Sequence, residues 1–306
     1  MPSGRYAPSP TGRLHLGNLR TALLAWLFAR APGPDGTSGG PFRLRFDDLD
    51  QAAVRAEHYD SQAADLAAIG LDWDGPIVRQ SERVEHYRGA LDRLRDLDVL
   101  YPCFCSRREI REAAQAPNRP LAGHHYPGTC RRLDTAARRA RGAEGRRPAW
   151  RLRTEQPSYR FVDRLKGPVT VELDDFVVER NDGTPAYHLV TVVDDDALGV
   201  ELVVRADDLL DSTGRQLLVA ELLGCRRAEH AHVPLVLGPD GQRLAKRHGS
   251  VTLDERAAAG ETPIDVLRTL ARSLHLPGAA EATRPDDLLP GFDPADLPTS
   301  PLTLDP

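Results

Sequence analysis

The sequence has little of what membrane proteins and disulfide-bonded secreted proteins are made of. Its 306 residues include four cysteines, too few for a disulfide framework in a chain of this length. No apolar run approaches the roughly 20 residues that a membrane-spanning helix needs. The opening sequence Met-Pro-Ser-Gly-Arg-Tyr has no apolar signal region. We therefore expect a cytoplasmic protein without a membrane partner.

The composition does provide enough apolar material for a substantial core. Hydrophobic residues make up 41% of the chain, which suits one large domain or two modest ones. The formal net charge of -5 does not by itself indicate a nucleic-acid-binding protein. Local basic patches can still contact phosphates, because such contacts depend on where the charge is placed.

The most informative stretch lies near the amino terminus and predicts a strand, a turn and a helix. Pro8 and Pro10 exclude a helix before the turn, since proline lacks an N–H group and restricts the residue before it. Leucines and a phenylalanine then recur at helical spacing over 19–29. The amino end of a helix that follows a strand can bind an anion through its free N–H groups. His15 lies at this point and can donate to phosphate oxygens.

Two short motifs, far apart in the chain, resemble the nucleotide-binding motifs of class I aminoacyl-tRNA synthetases of the glutamyl type. The first, within 8–18, is Pro-Ser-Pro-Thr-Gly followed by His-Leu-Gly-Asn. The second, over 237–247, resembles a variant of the lysine–serine loop, with Lys246 at the position of the charge-stabilising lysine. It departs from that family at Ala245 and at Arg247, where a serine is usual. Each motif alone is compatible with an ordinary turn or a solvated hairpin, but both in the right order favour the synthetases.

The order of the predicted elements indicates an α/β protein with a parallel sheet, whose ligands bind at the carboxyl ends of the strands. After residue 101, cysteines, a basic run and short strands indicate an insertion between two halves of the sheet. The predicted segments are a loop at 31–41, strands at 42–46, 170–173 and 176–179, helices at 19–29, 55–69, 81–97 and 263–274, β-rich sequence at 186–193, 199–204 and 233–237, and a loosely ordered tail after Pro277.

The resemblance implies how the chain is divided. It predicts a Rossmann-like class I synthetase catalytic domain with a zinc-containing insertion and a short helical C-terminal part. Residues 1–100 would form the first half of the catalytic domain, and 187–255 the second half with the lysine loop. Residues 101–186 would form the acceptor-binding insertion, and 256–306 a short helical segment with a proline-rich tail.

The same resemblance implies a set of catalytic and binding residues. His15 and Lys246 would be catalytic. They would bind ATP together with Gly17 and Asn18. The glutamate-binding residues that it implies are Arg5, Ala7, Ser9, Asp47, Tyr187 and Arg205. Arginine suits this role because its guanidinium binds a carboxylate through two hydrogen bonds. Asp47 departs from the family, which usually has glutamate there.

Three cysteines lie close together in the sequence, namely Cys103, Cys105 and Cys130. Their spacing suits a metal site, although a Cys-x-Cys pair is less usual than Cys-x-x-Cys. Ligand chemistry alone favours His124 or His125 as the fourth ligand, because imidazole is the commoner zinc donor. The resemblance instead implies Tyr126, since Tyr-Pro-Gly-Thr-Cys is similar to the Tyr-x-x-x-Cys of truncated glutamyl synthetase paralogues. A closed four-ligand site is structural, and three buried free cysteines are the alternative.

Seven arginines lie between Cys130 and Pro148. Beside a zinc module they could hold the phosphates of a tRNA stem. A solvated charged helix or loop has the same composition, and the sequence leaves both interpretations open.

Over residues 4–275 the chain resembles the truncated paralogues of glutamyl-tRNA synthetases that act on queuosine. The resemblance implies activation of L-glutamate with ATP and Mg²⁺, transfer to the queuosine base at the wobble position of tRNA(Asp), and a structural Zn²⁺. A monomer is expected. Two alternatives remain, a minimal glutamyl-tRNA synthetase that charges the tRNA 3′ end and a non-catalytic, zinc-dependent tRNA-binding paralogue.

Overall fold

The computed structural model describes residues 2–33, 38–106, 108–110, 126–244 and 251–303. Several predicted features lie outside the described residues, namely part of the 31–41 loop, His124, His125, Ala245, Lys246 and Arg247. Within the described ranges, no helix has both the length and the apolar character that crossing a membrane would require.

Strands and helices alternate through most of the chain. The strands are β1 Gly4–Tyr6, β2 Phe42–Phe46, β3 Val78–Arg79, β4 Leu100–Cys103, β5 Ala149–Leu152, β6 Ser158–Asp163, β7 Gly167–Glu172, β8 Phe176–Glu179, β9 Leu202–Ala206, β10 Glu229–Val233, β11 Val236–Leu237 and β12 Leu302–Thr303. The helices are α1 Leu16–Arg30, α2 Glu57–Ala68, α3 Val84–Asp96, α4 Thr135–Ala143, α5 Tyr187–Ala197, α6 Leu210–Leu223, α7 Leu253–Ala258 and α8 Pro263–Ser273.

Within the described residues, the central sheet has seven strands in the order β3-β2-β1-β9-β10-β6-β7. Neighbouring strands are parallel except in the β6–β7 hairpin. The predicted α/β class with a parallel sheet is therefore confirmed. Because β1, β9 and β10 are adjacent and parallel, the segments that follow their carboxyl ends meet at one edge of the sheet.

Helix α1 lies at the centre of the largest hydrophobic core. Its leucines, Trp26 and Phe28 are buried against the sheet, α8 and the C-terminal segment. The helix approaches β1 so closely that a Cβ at Gly4 would lie 3.0 Å from the Cβ of Ala29. Arg20, also buried, donates to the Pro234 carbonyl at 3.0 Å and thereby ties α1 to the loop after β10. The helix begins at Leu16, three residues before the predicted run.

The segment 101–186 contributes strands to two sheets. Strands β4, β5 and β8 form a separate antiparallel sheet, and the cysteine cluster lies at the end of β4. The hairpin β6–β7 instead extends the central sheet, because β6 pairs with β10. The predicted domain boundaries remain predictions.

The β-rich prediction for 186–193 is wrong, because these residues begin helix α5. Val190, Thr191, Val192 and Val193 favour a strand by their branched side chains, but all four are buried. A short apolar run that is buried on most sides has no visible period, so it does not distinguish a strand from a helix. The helix packs against α3 and α6, which explains the burial.

The prediction of a loosely ordered tail is also wrong. After Pro277 the chain forms 3₁₀ turns at Pro285–Gly291 and Pro294–Asp296, and β12 pairs with β11. Leu288 and Leu297 are buried in the core around α1, and the Phe292 ring meets that of Phe28 at 5.2 Å. The tail packs through isolated apolar residues without a regular period, which pattern analysis does not detect. The remaining helix predictions agree with α1, α2, α3 and α8 to within a few residues.

Candidate active site

A cavity of about 550 Å³ opens at the carboxyl edge of the central sheet, where β1, β2, β9 and β10 end. Every predicted catalytic or glutamate- and ATP-binding residue that the structure describes borders it: Arg5, Ala7, Ser9, His15, Gly17, Asn18, Asp47, Tyr187 and Arg205. These residues are separated by up to 200 positions in the sequence, and the fold brings them to one place. Lys246 belongs to the undescribed 245–250.

His15 caps the amino end of α1. Its Nδ1 accepts from the backbone N–H of Asn18 at 3.2 Å, and the Asn18 side chain accepts from the backbone N–H of His15. Burial, with a smaller effect of Arg243, lowers the pKa of His15 to about 4, so the ring is neutral at pH 7. Because Nδ1 is an acceptor, the proton of the neutral ring lies on Nε2 and is available to a ligand.

Gly17 provides room beside this histidine. A Cβ at position 17 would lie 3.1 Å from the His15 ring and 3.4 Å from Val236. Even an alanine at this position would therefore require the imidazole to shift by a few tenths of an ångström.

The two described ends of the undescribed segment 245–250 lie at the site. Leu244 is buried in the core around α1. The Val251 carbonyl accepts from the backbone N–H of Leu16 at 2.8 Å, and Thr252 forms a β-bridge with His15. Arg243 borders the cavity and pairs with Asp208 at 2.6 Å.

Arg205, at the end of β9, is a buried cation without an acidic partner among the described residues. Its hydrogen bonds go to neutral groups: His232 Nε2 at 3.0 Å, Gln216 Oε1 at 2.7 Å, Thr213 Oγ1 at 2.7 Å, Tyr187 Oη at 3.3 Å and the Leu209 carbonyl at 3.3 Å. Burial lowers the pKa of Arg205, and the positive charge of Arg5 adds to this effect. Such a cation attracts an anionic group that enters the cavity.

Arg5 is held differently, by the carboxylate of Asp195 on α5. Its Nε lies 3.1 Å from Oδ1 and its Nη2 lies 3.2 Å from Oδ2. The same carboxylate accepts from Arg45 at 2.7 Å, and Arg45 also donates to Asp47 at 2.7 Å. Nη1 of Arg5 has no hydrogen-bond partner among the described residues, so this group remains for a ligand.

Asp47 borders the cavity as predicted, but its carboxylate already pairs with Arg45. Burial raises the pKa of Asp47, even though the charge of Arg45 opposes this effect. A ligand ammonium placed near Asp47 would lower the energy of the ionised form. Ser9 is exposed and Ala7 half-buried, on the turn between β1 and α1.

Sequence reasoning missed the residues that hold these arginines. They are Arg45, Asp163, Asp195, Thr213, Gln216 and His232, and each is buried. One signal was available, since Asp194 and Asp195 interrupt an apolar run and buried acids need partners. The partners themselves lie 107 to 190 positions away in the chain, and no local pattern identifies them.

The cysteine cluster brings all four residues of the predicted metal site together. The Sγ atoms of Cys103, Cys105 and Cys130 lie within 4.8 Å of one another and could hold a metal ion. The Tyr126 hydroxyl lies 3.4 Å from the Cys103 sulfur and 3.9 Å from the Cys105 sulfur. Three sulfur donors and one oxygen around one point fit a closed tetrahedral site. The guanidinium of Arg151 lies 3.7 Å from the Tyr126 ring and would favour negative charge on these ligands.

A second cavity of about 1030 Å³ lies between this cluster and the first cavity, and Tyr187 borders both. Five arginines line it, namely Arg146, Arg147, Arg151, Arg180 and Arg215. Arg146, Arg180 and Arg215 pair with Glu109, Asp182 and Asp174, respectively. His188 also lines it, but burial lowers the pKa of this histidine to about 3, so the ring is neutral at pH 7. Arg131, also in the arginine-rich stretch, pairs with Asp175 and Glu155 and is a structural residue.

Comparisons with known proteins agree with the geometry. A family model described as "tRNA synthetases class I (E and Q), catalytic domain" matches residues 3–283. Glutamyl-Q tRNA(Asp) synthetase of Nocardia farcinica is 55% identical over 302 residues, which cover 99% of this chain and 93% of that protein. Glutamate--tRNA ligase 1 of Halorhodospira halophila is 40% identical over 99% of this chain and 65% of that protein.

A solved structure is similar as well. It is a glutamate tRNA ligase from Elizabethkingia meningosepticum in complex with its amino acid, with a TM-score of 0.81 and 27% identity. The match covers 98% of this chain and 66% of that one.

Proposed function

The chain belongs to the class I tRNA synthetase family of types E and Q, and we propose that it activates L-glutamate with ATP and transfers the glutamyl group to the queuosine base of tRNA(Asp). The observation that carries the proposal is the pair of arginines, Arg5 and Arg205, beside the amino end of α1 in one cavity. A dicarboxylic amino acid needs fixed cations, and a triphosphate needs the N–H groups of a helix end.

In the first step, an α-carboxylate oxygen of glutamate attacks the α-phosphorus of ATP in line. A new O–P bond forms, the bond to the β-phosphate oxygen breaks, and pyrophosphate leaves. No side-chain nucleophile is required, so the protein contributes positioning and charge stabilisation. We assign the carboxylate contacts to Arg205 and to Nη1 of Arg5, with Ala7, Ser9 and Tyr187 beside them. Asp47 would face the ammonium.

The phosphate contacts are assigned to His15, through Nε2–H, and to the α1 amino end around Gly17 and Asn18. Lys246 is proposed to stabilise charge on the triphosphate, as the motif implies. Its support is that Leu244 and Val251, on either side of the segment, both pack at α1. Mg²⁺ would accompany ATP and neutralise phosphate charge.

In the second step, a hydroxyl of the queuosine ring attacks the carbonyl carbon of the glutamyl adenylate. The ester bond forms, AMP leaves with the electron pair, and the hydroxyl proton is released. The support for this acceptor is the higher identity to the Nocardia farcinica protein than to the tRNA ligase. The second cavity, which meets the first one at Tyr187, is lined by five arginines, whose guanidinium groups suit contacts with the phosphates of a tRNA loop. ATP, glutamate and tRNA are cytoplasmic substrates, which supports a cytoplasmic location.

The acceptor is tested with radiolabelled glutamate and two tRNA(Asp) preparations, one with queuosine and one with unmodified guanosine. We expect label only on the queuosine-containing tRNA, and we expect it to remain when the 3′-terminal adenosine has been removed beforehand. Label that depends on that adenosine would instead favour a minimal glutamyl-tRNA synthetase. Absence of glutamate-dependent ATP–pyrophosphate exchange would favour the non-catalytic paralogue.

We also propose that Cys103, Cys105, Tyr126 and Cys130 hold a structural Zn²⁺, which would fix the end of β4. Metal analysis of the purified protein is expected to find one zinc per chain, and Cys130→Ser should lose it. Cys225→Ser is the matched control, since this cysteine lies outside the cluster. Wild-type protein that contains no zinc would contradict the proposal.

The fourth ligand has its own test. Tyr126→Phe is expected to release zinc to a chelator faster than wild type, whereas the double variant His124→Ala/His125→Ala should not. The reverse result would assign the fourth position to a histidine.

A further inference from the structure

Two buried residues behind Arg205 have no part in the proposed reaction. Asp163, at the end of β6, and His232, on β10, are both shielded from solvent. Asp163 Oδ2 lies 2.6 Å from His232 Nδ1, and His232 Nε2 lies 3.0 Å from Nε of Arg205. The three side chains thus form a chain of hydrogen bonds that ends at the cavity.

The hydrogen-bond partners determine which ring nitrogen of His232 carries the proton. Nε2 faces the Nε–H of Arg205, which is always a donor, and the Thr213 hydroxyl at 3.2 Å. Nε2 must therefore be the acceptor. Nδ1 faces a carboxylate and must be the donor. Asp163 is held in this role by the backbone N–H groups of Leu165 and Lys166, each at 3.0 Å.

The charge states of His232 and Asp163 follow from their surroundings. Burial, and secondarily the charge of Arg205, lower the pKa of His232 despite its bond to Asp163, so the ring is neutral at pH 7. Burial alone would raise the pKa of Asp163, but the hydrogen bonds from His232 and the backbone outweigh it and lower the pKa. A carboxylate directly against Arg205 would neutralise it, whereas a neutral imidazole orients the guanidinium and leaves its charge for a ligand.

We propose that Asp163 and His232 are positioning residues for substrate binding. Asp163 selects the Nδ1–H form of His232, and His232 then holds Arg205 in the orientation that binds a substrate carboxylate. This inference rests on the proposed function, because it takes Arg205 to be the glutamate-binding cation. Strand β6, which lies within the segment 101–186, would then contribute to binding of the amino acid.

The first test is Asp163→Asn in glutamate-dependent ATP–pyrophosphate exchange. The backbone N–H groups of Leu165 and Lys166 would hold the asparagine oxygen at the Oδ1 position, so the amide NH₂ faces Nδ1 and favours the Nε2–H form of His232. Two donors would then oppose each other at Arg205. We expect the KM for glutamate to rise at least about 10-fold, with the KM for ATP within about 2-fold and kcat within about 3-fold. Asp175→Asn is the matched control, a buried acid bonded to Tyr101, Thr154 and Arg131 instead. Equal increases in both KM values, or no increase, would overturn the proposal.

A pair of His232 variants separates the two ends of the ring. His232→Gln keeps an acceptor at the distance of Nε2, and His232→Asn keeps a donor at the distance of Nδ1. We expect the glutamine variant to have a KM for glutamate at least about 5-fold below that of the asparagine variant. The reverse order, or equal values, would contradict the assignment.

The protonation state is measured directly by ¹⁵N NMR of histidine-labelled protein. Wild type is expected to have His232 as the Nδ1–H tautomer and Asp163→Asn as the Nε2–H tautomer. An Nε2–H tautomer in wild type would overturn the inference. This measurement does not depend on activity. If wild type has no glutamate-dependent exchange, the proposed function fails, while the spectrum still decides whether Asp163 selects the tautomer.

Discussion

Replacing Arg205 with alanine is expected to reduce glutamate-dependent ATP–pyrophosphate exchange at least about 100-fold, which corresponds to about 2.7 kcal/mol. Loss of one partner from a desolvated, hydrogen-bonded charge pair costs about 2–5 kcal/mol, so the expected loss lies within the usual range. The effect should be large because no carboxylate of the described residues forms an ion pair with Arg205, so the substrate carboxylate would be its first direct anionic partner.

A loss of stability must be separated from this loss of binding. Arg205→Ala leaves a cavity and removes five hydrogen bonds, four of them to the side chains of His232, Gln216, Thr213 and Tyr187. We therefore expect a lower midpoint of thermal unfolding, measured by circular dichroism. Exchange is compared at a temperature at which both proteins are folded.

Arg205→Lys provides the matched control for charge. It keeps the cation but has a single point of attachment, so its activity should lie between those of wild type and Arg205→Ala. The KM for ATP should change little in either variant. Exchange by Arg205→Ala within about 5-fold of wild type would exclude Arg205 from the glutamate site.

The parts of the fold that the sequence predicted are those with a regular period and local end signals. Helix α8 has Thr262 as its N-cap and Pro263 in its first turn, and both signals are read directly from the sequence. Helix α5 has neither, because its N-cap residue Ala186 makes no side-chain cap and its valines resemble a strand. The prediction for the C-terminal tail was wrong for a related reason, since Leu288 and Leu297 pack through tertiary contacts alone.

The candidate site likewise has one part that the sequence predicts and one part that it does not. His15, Gly17 and Asn18 lie within four positions of each other, and they act together through the cap of α1. A motif of this kind is recognisable because its physical cause is local. The support of Arg5 is distant in the sequence, since Arg5 pairs with Asp195 at a separation of 190 residues. The supports of Arg205 are nearer, with Thr213 and Gln216 at separations of 8 and 11 residues, but they match no motif. No spacing rule connects such residues, and only the folded chain identifies them as partners.

Among the residues that hold the two arginines, Asp195 is expected to contribute most to stability. Asp195→Asn is expected to lower the free energy of unfolding by about 3–5 kcal/mol at pH 7, the usual cost of removing one partner from a buried ion pair. Asp195 accepts hydrogen bonds from Arg5 and from Arg45, and Arg45 is fully buried. The asparagine variant leaves Arg5 without a carboxylate partner among the described residues, and it leaves Arg45 with Asp47 at 2.7 Å and Asp194 at 3.7 Å. Urea denaturation followed by circular dichroism measures the change. Asp196→Asn is the control, since Asp196 is exposed and its Oδ1 accepts from the backbone N–H of Arg226.

The pH dependence of unfolding distinguishes the loss of the Asp195 charge from a change in packing. Burial alone would raise the pKa of Asp195, but the charges of Arg5 and Arg45 outweigh it and hold the pKa below its ordinary value. A carboxyl group with a lowered folded pKa stabilises the fold above its unfolded pKa, about 4, and loses that contribution as the pH falls through the folded value. The difference in unfolding free energy between wild type and Asp195→Asn should therefore shrink below about pH 4. A difference that is the same at pH 7 and pH 3 would mean that the asparagine acts through packing, and that the charge of Asp195 does not hold the two arginines.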